Sequence, residues 1–212
     1  YGPEDHAALV GQLLEARDLR RVTLVGHSLG GGIALLAALA DVETGAGRIE
    51  RLVLVGSAAY PQKLPPFVAL AGHPRIMRML FRVLGARLIV GTVLRAIVHD
   101  PGTVDAEQVR GYAQPLGSPE AIGALVATAR QIQPPGLDEI TARYRRIDLP
   151  VLLLWGRHDR VVPLAVGERL AAELPRAHLH VLAACGHVPP EELPDASYAV
   201  LEAFLDGRLE AA

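Results

Sequence analysis

Three separated stretches carry residue types that can do chemistry together. The first is Gly26-His27-Ser28-Leu29-Gly30, set between the apolar run Val22 to Val25 and an Ala/Leu-rich segment. A Gly-x-Ser-x-Gly sequence at a strand-to-helix junction suits a sharp turn that holds a strained serine out at the strand's end. Gly26 and Gly30 are expected to let neighbouring backbone come close, with Gly31 and Gly32 giving further room. The following helix would aim its unpaired N–H groups and positive dipole end at the point where an oxyanion develops in acyl transfer. The competing reading is a glycine-rich turn that only packs, or that binds an anion.

A serine hydroxyl is a poor nucleophile without a base, and the base needs an orienting carboxylate. The other two stretches supply both: Trp155-Gly156-Arg157-His158-Asp159 and Cys185-Gly186-His187-Val188-Pro189. Each follows an apolar run, which predicts Ser28, Asp159 and His187 on loops at one edge of a sheet. Alone, Asp159 reads equally as a turn-capping aspartate and His187 as an ordinary loop histidine. His27 is expected to direct its side chain away from the nucleophile and His158 to serve its turn. His6, His73, His99, His178 and His180 show no zinc-ligand spacing, so neither a metal nor a cofactor is expected.

These stretches must be positioned by regular elements. Val22 to Val25, Leu52 to Val55, Val151 to Trp155 and Leu179 to Leu182 read as strands buried on both faces of a parallel sheet. Helical patterns cover Glu4 to Arg17, Leu29 to Asp41, Leu164 to Leu174 and Glu192 to Leu205. The order predicts an α/β fold, a doubly wound and mainly parallel sheet. Residues 1–57 and 147–212 would form the core. Residues 58–146, punctuated by Pro61, Pro65-Pro66, Pro101-Gly102 and Pro134-Pro135-Gly136, read as a cap of several helices. Within it, Ile76-Met77-Arg78-Met79-Leu80-Phe81 is either a core-facing stripe, the favoured reading, or the lining of an acyl pocket.

Composition narrows the partners. The 212 residues carry 21 Lys+Arg against 23 Asp+Glu, a net charge of -2, with 50% hydrophobic residues. No basic stripe suited to a phosphate backbone stands out, so nucleic acid is not expected as a partner. Arg143-Tyr144-Arg145-Arg146 reads as a solvated helix end. The longest apolar run, Ile33 to Ala40, is too short for a membrane span. The single cysteine, Cys185, reads as a small buried apolar residue. It can form no internal disulfide, in keeping with a reducing, cytoplasmic setting.

Taken together, Gly26 to Gly31, Trp155 to Pro163 and Gly186 to Pro194 resemble the α/β-hydrolase family, over the whole chain. The resemblance implies Ser28 as nucleophile, His187 as general base and then acid, Asp159 as orienting carboxylate, and the Leu29 backbone N–H as one oxyanion donor. It also exposes a departure. Family members have strands ahead of the nucleophile strand and a loop that supplies a second oxyanion N–H. Only one helix and one strand precede Ser28, so the chain is expected to be part of a longer hydrolase with an impaired site. Its first strand would be an exposed apolar edge, open to self-association.

The reaction implied is cleavage of a carboxylic ester or related small apolar acyl substrate through an acyl-enzyme. Hydrolysis of a carbon–carbon bond in ring-fission products is the second reading, set lower because Val188 follows His187 where an aromatic residue is expected in several such enzymes. A non-catalytic hydrolase-like fragment is the third.

Overall fold

The structure is a computed structural model that describes residues 1–209. Four strands, β1 (Val22–His27), β2 (Ile49–Val55), β3 (Val151–Gly156) and β4 (Ala177–Leu182), lie parallel and adjacent in chain order. Helix α1 (Pro3–Ala16) precedes β1, and α2 (Leu29–Thr44) crosses from β1 to β2. Between β2 and β3 come α3 (Pro66–Ala71), α4 (Pro74–Ile97), α5 (Ala106–Ala113), α6 (Pro119–Arg130) and α7 (Leu137–Thr141). Helix α8 (Leu164–Glu173) crosses from β3 to β4, and α9 (Pro189–Glu192) and α10 (Pro194–Leu205) follow.

Successive side chains of a strand point to opposite faces, so an unbroken apolar run can feed two cores at once. Leu52, Leu54, Leu153 and Trp155 pack on one face against Leu35 and Ala38 of α2 and Leu170 of α8. Val53, Val55, Leu152 and Leu154 pack on the other against Phe204 of α10. This is the α/β layering expected from the sequence, and it fixes the carboxyl ends of all four strands at one rim.

Burial on both faces holds for β2 and β3 but not for the outer strands. β4 is half-buried along most of its length, and in β1 Val25 is 57% exposed. Each outer strand has a paired neighbour on one side only among the described residues. The basic run before β3 also differs from expectation. Tyr144 is buried and its hydroxyl donates to the Ala59 carbonyl, while Arg143 and Arg146 both pair with Glu43 of α2. The run pins the returning chain to the core instead of lying free at a helix end.

Candidate active site

The turn after β1 has the strain that its sequence anticipates. Ser28 adopts φ 54 and ψ -120, a positive φ that costs a residue with a Cβ about 1–3 kcal/mol and persists only where the surroundings enforce it. The enforcement comes from backbone on both sides. The Ser28 N–H donates to Val55 at 2.9 Å, and its carbonyl accepts from Gly31, Gly32 and Ala58 at 3.1, 3.3 and 2.9 Å. A Cβ on Gly26 would overlap the Gly30 carbonyl, and one on Gly31 would overlap the Ser57 hydroxyl. Gly30 is different: a Cβ there would meet nothing within 4 Å, so the room expected from Gly30 is supplied by Gly31 and Gly32. The Ser28 side chain makes no capping bond to α2. Leu29 opens that helix, where a backbone N–H has no intrahelical acceptor.

Asp159 and His187 meet at the same rim. His187 Nδ1 lies 2.8 Å from Asp159 Oδ2, with side-chain exposures of 4% and 0%. Because a carboxylate accepts only, Nδ1 carries the proton and donates it, which leaves Nε2 with a free lone pair. The other oxygen, Oδ1, accepts the Val161 and Val162 N–H groups at 2.8 and 2.9 Å. Both sequence readings of Asp159, turn cap and histidine partner, are therefore satisfied by one side chain. No hydrogen bond joins His187 to the Ser28 hydroxyl among the described residues. What adjoins His187 is the ring of His27, just before the serine, and Gly56, just after the Val55 carbonyl that anchors it.

One of those neighbours is His27, whose side chain engages His187 and makes no hydrogen bond to Ser28 among the described residues. Its ring centroid lies 4.8 Å from that of His187, and its Nε2 lies 2.7 Å from the His187 carbonyl. A ring nitrogen facing a carbonyl must be the protonated one, so Nε2–H donates. Burial of that ring against His187 holds its pKa below the usual histidine value, although the residue's outer edge is exposed. The second neighbour is Gly56, with φ 48, where a Cβ would sit 3.0 Å from Asp159 Oδ2 and 3.2 Å from His187 Nδ1. A glycine just past the end of β2 is the sequence signal for it.

A third residue that sequence reasoning left without a role is Glu192. Its Oε2 accepts the Gly186 N–H at 2.9 Å and the His99 N–H at 2.7 Å, and its Oε1 accepts the Val188 N–H at 2.9 Å. One carboxylate thus clasps the backbone on both sides of His187. The His187 N–H itself donates to the Ile97 carbonyl at the end of α4, at 3.0 Å. Glu191 next door accepts from Gln108 and Tyr112 of α5, and His158 stacks on His99 at 4.4 Å. The recognisable signal is an acid four residues after Val188, in the short helix that follows the histidine, close enough to reach back to the Val188 N–H. Cys185 is fully buried, and burial pushes its thiol up to about 12, in keeping with a packing role.

One cavity touches the serine turn through Leu29, and another lies within the insertion. The first is small, about 50 Å³, and is lined by Leu29, Gly32, Ala58 and Tyr60 among others. The second is larger, about 450 Å³, and lies among the helices between β2 and β3, lined by Phe67, Met77, Phe81, Leu94, Ile97 and Tyr112 with their apolar neighbours. Among the described residues no charged side chain lines it. Met77 and Phe81 are buried there, so the stretch Ile76 to Phe81 supplies core contacts and cavity wall together.

A parallel sheet with helices on both faces, a strained serine after one strand and a buried acid–histidine pair after two others define an α/β hydrolase. The chain belongs to that family: the Alpha/beta hydrolase family model matches residues 1–200. It is 32% identical over 196 residues to the uncharacterized hydrolase YugF of Bacillus subtilis (strain 168), covering 92% of this chain and 69% of that protein. It is 33% identical over 185 residues to the 2-hydroxymuconate semialdehyde hydrolase of Pseudomonas sp. (strain CF600), covering 86% of this chain and 60% of that protein. An alpha/beta hydrolase fold protein from Burkholderia ambifaria superposes with a TM-score of 0.77 at 27% identity, over 92% of this chain and 70% of its own. The chain thus spans roughly three-fifths to two-thirds of the length of these curated relatives.

Proposed function

We propose that Ser28, His187 and Asp159 act as nucleophile, base and orienting carboxylate of a hydrolase that works through an acyl-enzyme. The observation that carries this is the strained φ of Ser28 combined with a His187 whose Nδ1 is committed to Asp159, leaving Nε2 to take a proton. His187 Nε2 removes the hydroxyl proton as Oγ adds to a substrate carbonyl, and the tetrahedral oxyanion is met by the Leu29 N–H. Collapse expels the leaving group, protonated by His187, and a water activated by the same nitrogen then frees Ser28. Residues 58–146 act as the cap over this rim.

The substrate we favour is a carboxylic ester with an uncharged apolar acyl group, because the large cavity offers that group apolar walls and no cation. A second reading, carbon–carbon hydrolysis of a ring-fission product, is favoured by the name of the Pseudomonas relative, and it uses the same nucleophile and base. Labelling with a fluorophosphonate tests the shared mechanism: the label should map to Ser28 and vanish in Ser28→Ala. Asp159→Asn should slow the reaction about 10⁴-fold by favouring the wrong imidazole tautomer. Label retained in Ser28→Ala would sink the assignment. Parallel turnover of a p-nitrophenyl ester and a coloured ring-fission dienoate separates the two substrate readings.

A further inference from the structure

We propose that the first half of α4, residues 74–84, is a docking surface for an anionic lipid bilayer. The proposal is independent of which bond the enzyme cleaves. It rests on two adjacent rows of side chains. Ile76, Met79 and Val83, spaced i, i+3, i+7, fall on one exposed strip of the helix, with Met79 58% and Val83 74% exposed. Arg75, Arg78 and Arg82 repeat that spacing one residue earlier and form the neighbouring strip, also exposed. Met77 and Phe81, on the opposite side, are buried and line the large cavity. The helix therefore has one apolar side committed to the protein and a second apolar strip without a partner among the described residues, beside a row of guanidinium groups.

Charge decides what covers that strip. From Gly56 to His99 the sequence has no Asp or Glu, while Lys63, Arg75, Arg78, Arg82, Arg87 and Arg95 fall within it. The near-neutral total charge conceals this segregation, which is why no basic stripe stands out from the composition. The ion pairs of the described residues all lie elsewhere and leave Arg75, Arg78 and Arg82 unused. A second copy of the same face would bring like-charged rows together, which opposes self-pairing. A nucleic-acid backbone would leave the Met79 and Val83 side chains in water. An anionic bilayer satisfies both rows: phosphates meet the guanidinium groups, which snorkel, while the apolar row enters the acyl boundary. No helix of the described residues is long and apolar enough to cross a membrane, so the mode is adsorption. Gly85, at φ 74, breaks α4 at the end of this segment, and the remainder turns inward to Val90 and Leu94 in the core of the insertion.

Co-sedimentation of the whole chain with vesicles tests this, comparing phosphatidylcholine alone with equal parts phosphatidylcholine and phosphatidylglycerol. Binding is expected only to the anionic vesicles and should weaken as salt rises. Each arginine contributes about fivefold near such a surface, so the triple variant Arg75→Gln/Arg78→Gln/Arg82→Gln should bind about 100-fold more weakly. Ile76→Ser/Met79→Ser/Val83→Ser should lose binding at unchanged charge. Circular dichroism and size-exclusion profiles of both triples should match the parent, since all six side chains are exposed. Four results overturn the proposal: no binding to anionic vesicles at low salt, equal binding to both compositions, charge-triple binding like the parent, or undiminished binding by the apolar triple. The last would mean simple attraction to any polyanion. A parent that self-associates through this strip and ignores vesicles would assign the surface to a second copy instead.

Discussion

Glu192 offers the sharpest test of how the fold holds the proposed base, His187, in place. Replacing it by alanine removes the acceptor of three backbone N–H groups, those of Gly186, Val188 and His99. Hydrogen bonds to a charged acceptor contribute about 1.5–3 kcal/mol each. These three share one partly exposed carboxylate, and water can reach part of the gap, so their losses do not add fully. A net destabilisation of about 2–4 kcal/mol follows, a fall in Tm of roughly 5–15 °C for a chain of this size. Glu192→Gln should recover little. The amide has one acceptor oxygen and turns an NH₂ group toward at least one of the N–H donors, setting donor against donor.

The kinetic consequence is separate from the loss of stability. The Gly186–Val188 backbone is what aims the imidazole, and a displacement of about 1 Å in a catalytic group costs on the order of 10²-fold in rate. The assay is the rate of Ser28 phosphonylation together with kcat and KM on an activated ester. It should be run far below the Tm of every variant, across pH. Glu192→Ala and Glu192→Gln should lower kcat and the phosphonylation rate with little change in KM, and should alter the pH profile as His187 exchanges its bond to Asp159 for solvent. A variant that melts earlier yet keeps the parent's kcat and pH profile would refute positioning and leave Glu192 a purely structural clasp.

Three further outcomes are expected. Gly56→Ala adds a Cβ 3.0 Å from Asp159 Oδ2 at a positive φ, so it should cost about 1–3 kcal/mol in denaturant unfolding and slow phosphonylation more than Gly45→Ala, whose Cβ meets nothing within 4 Å at φ 70; equal effects of the two would show that only backbone strain matters. Cys185, its thiol raised to about 12 by burial, holds at pH 8 only about one thiolate in 10⁴, so iodoacetamide should modify it at least a hundredfold faster in urea than in buffer. Val25→Lys on the exposed flank of β1 should reduce concentration-dependent self-association measured by light scattering, and an unchanged profile would place any association elsewhere.

The sequence disclosed elements whose physics is local and hid contacts that close over long separations. The two inner strands are legible because Val and Leu run unbroken through Leu52 to Val55 and Val151 to Leu154, where both faces are buried, and the elbow is legible because a strained turn needs its glycines within a few residues. Asp159 and His187 could be placed at the rim because each follows a strand whose direction is fixed by right-handed crossovers. The partner of His27 was hidden because the His187 carbonyl is 160 positions away. Glu192 went without a role for a related reason: two of its three bonds are local, but the third reaches His99, 93 positions back. Outer strands fared worse than inner ones because β-propensity registers apolar side chains and not the presence of a neighbour, and Val25 is as apolar as Val53 although one is exposed and the other buried. The arginine row of α4 shows the same limit in charge. A total near zero is silent about segregation, and only a helix that turns Arg75, Arg78 and Arg82 to one side makes the asymmetry a surface.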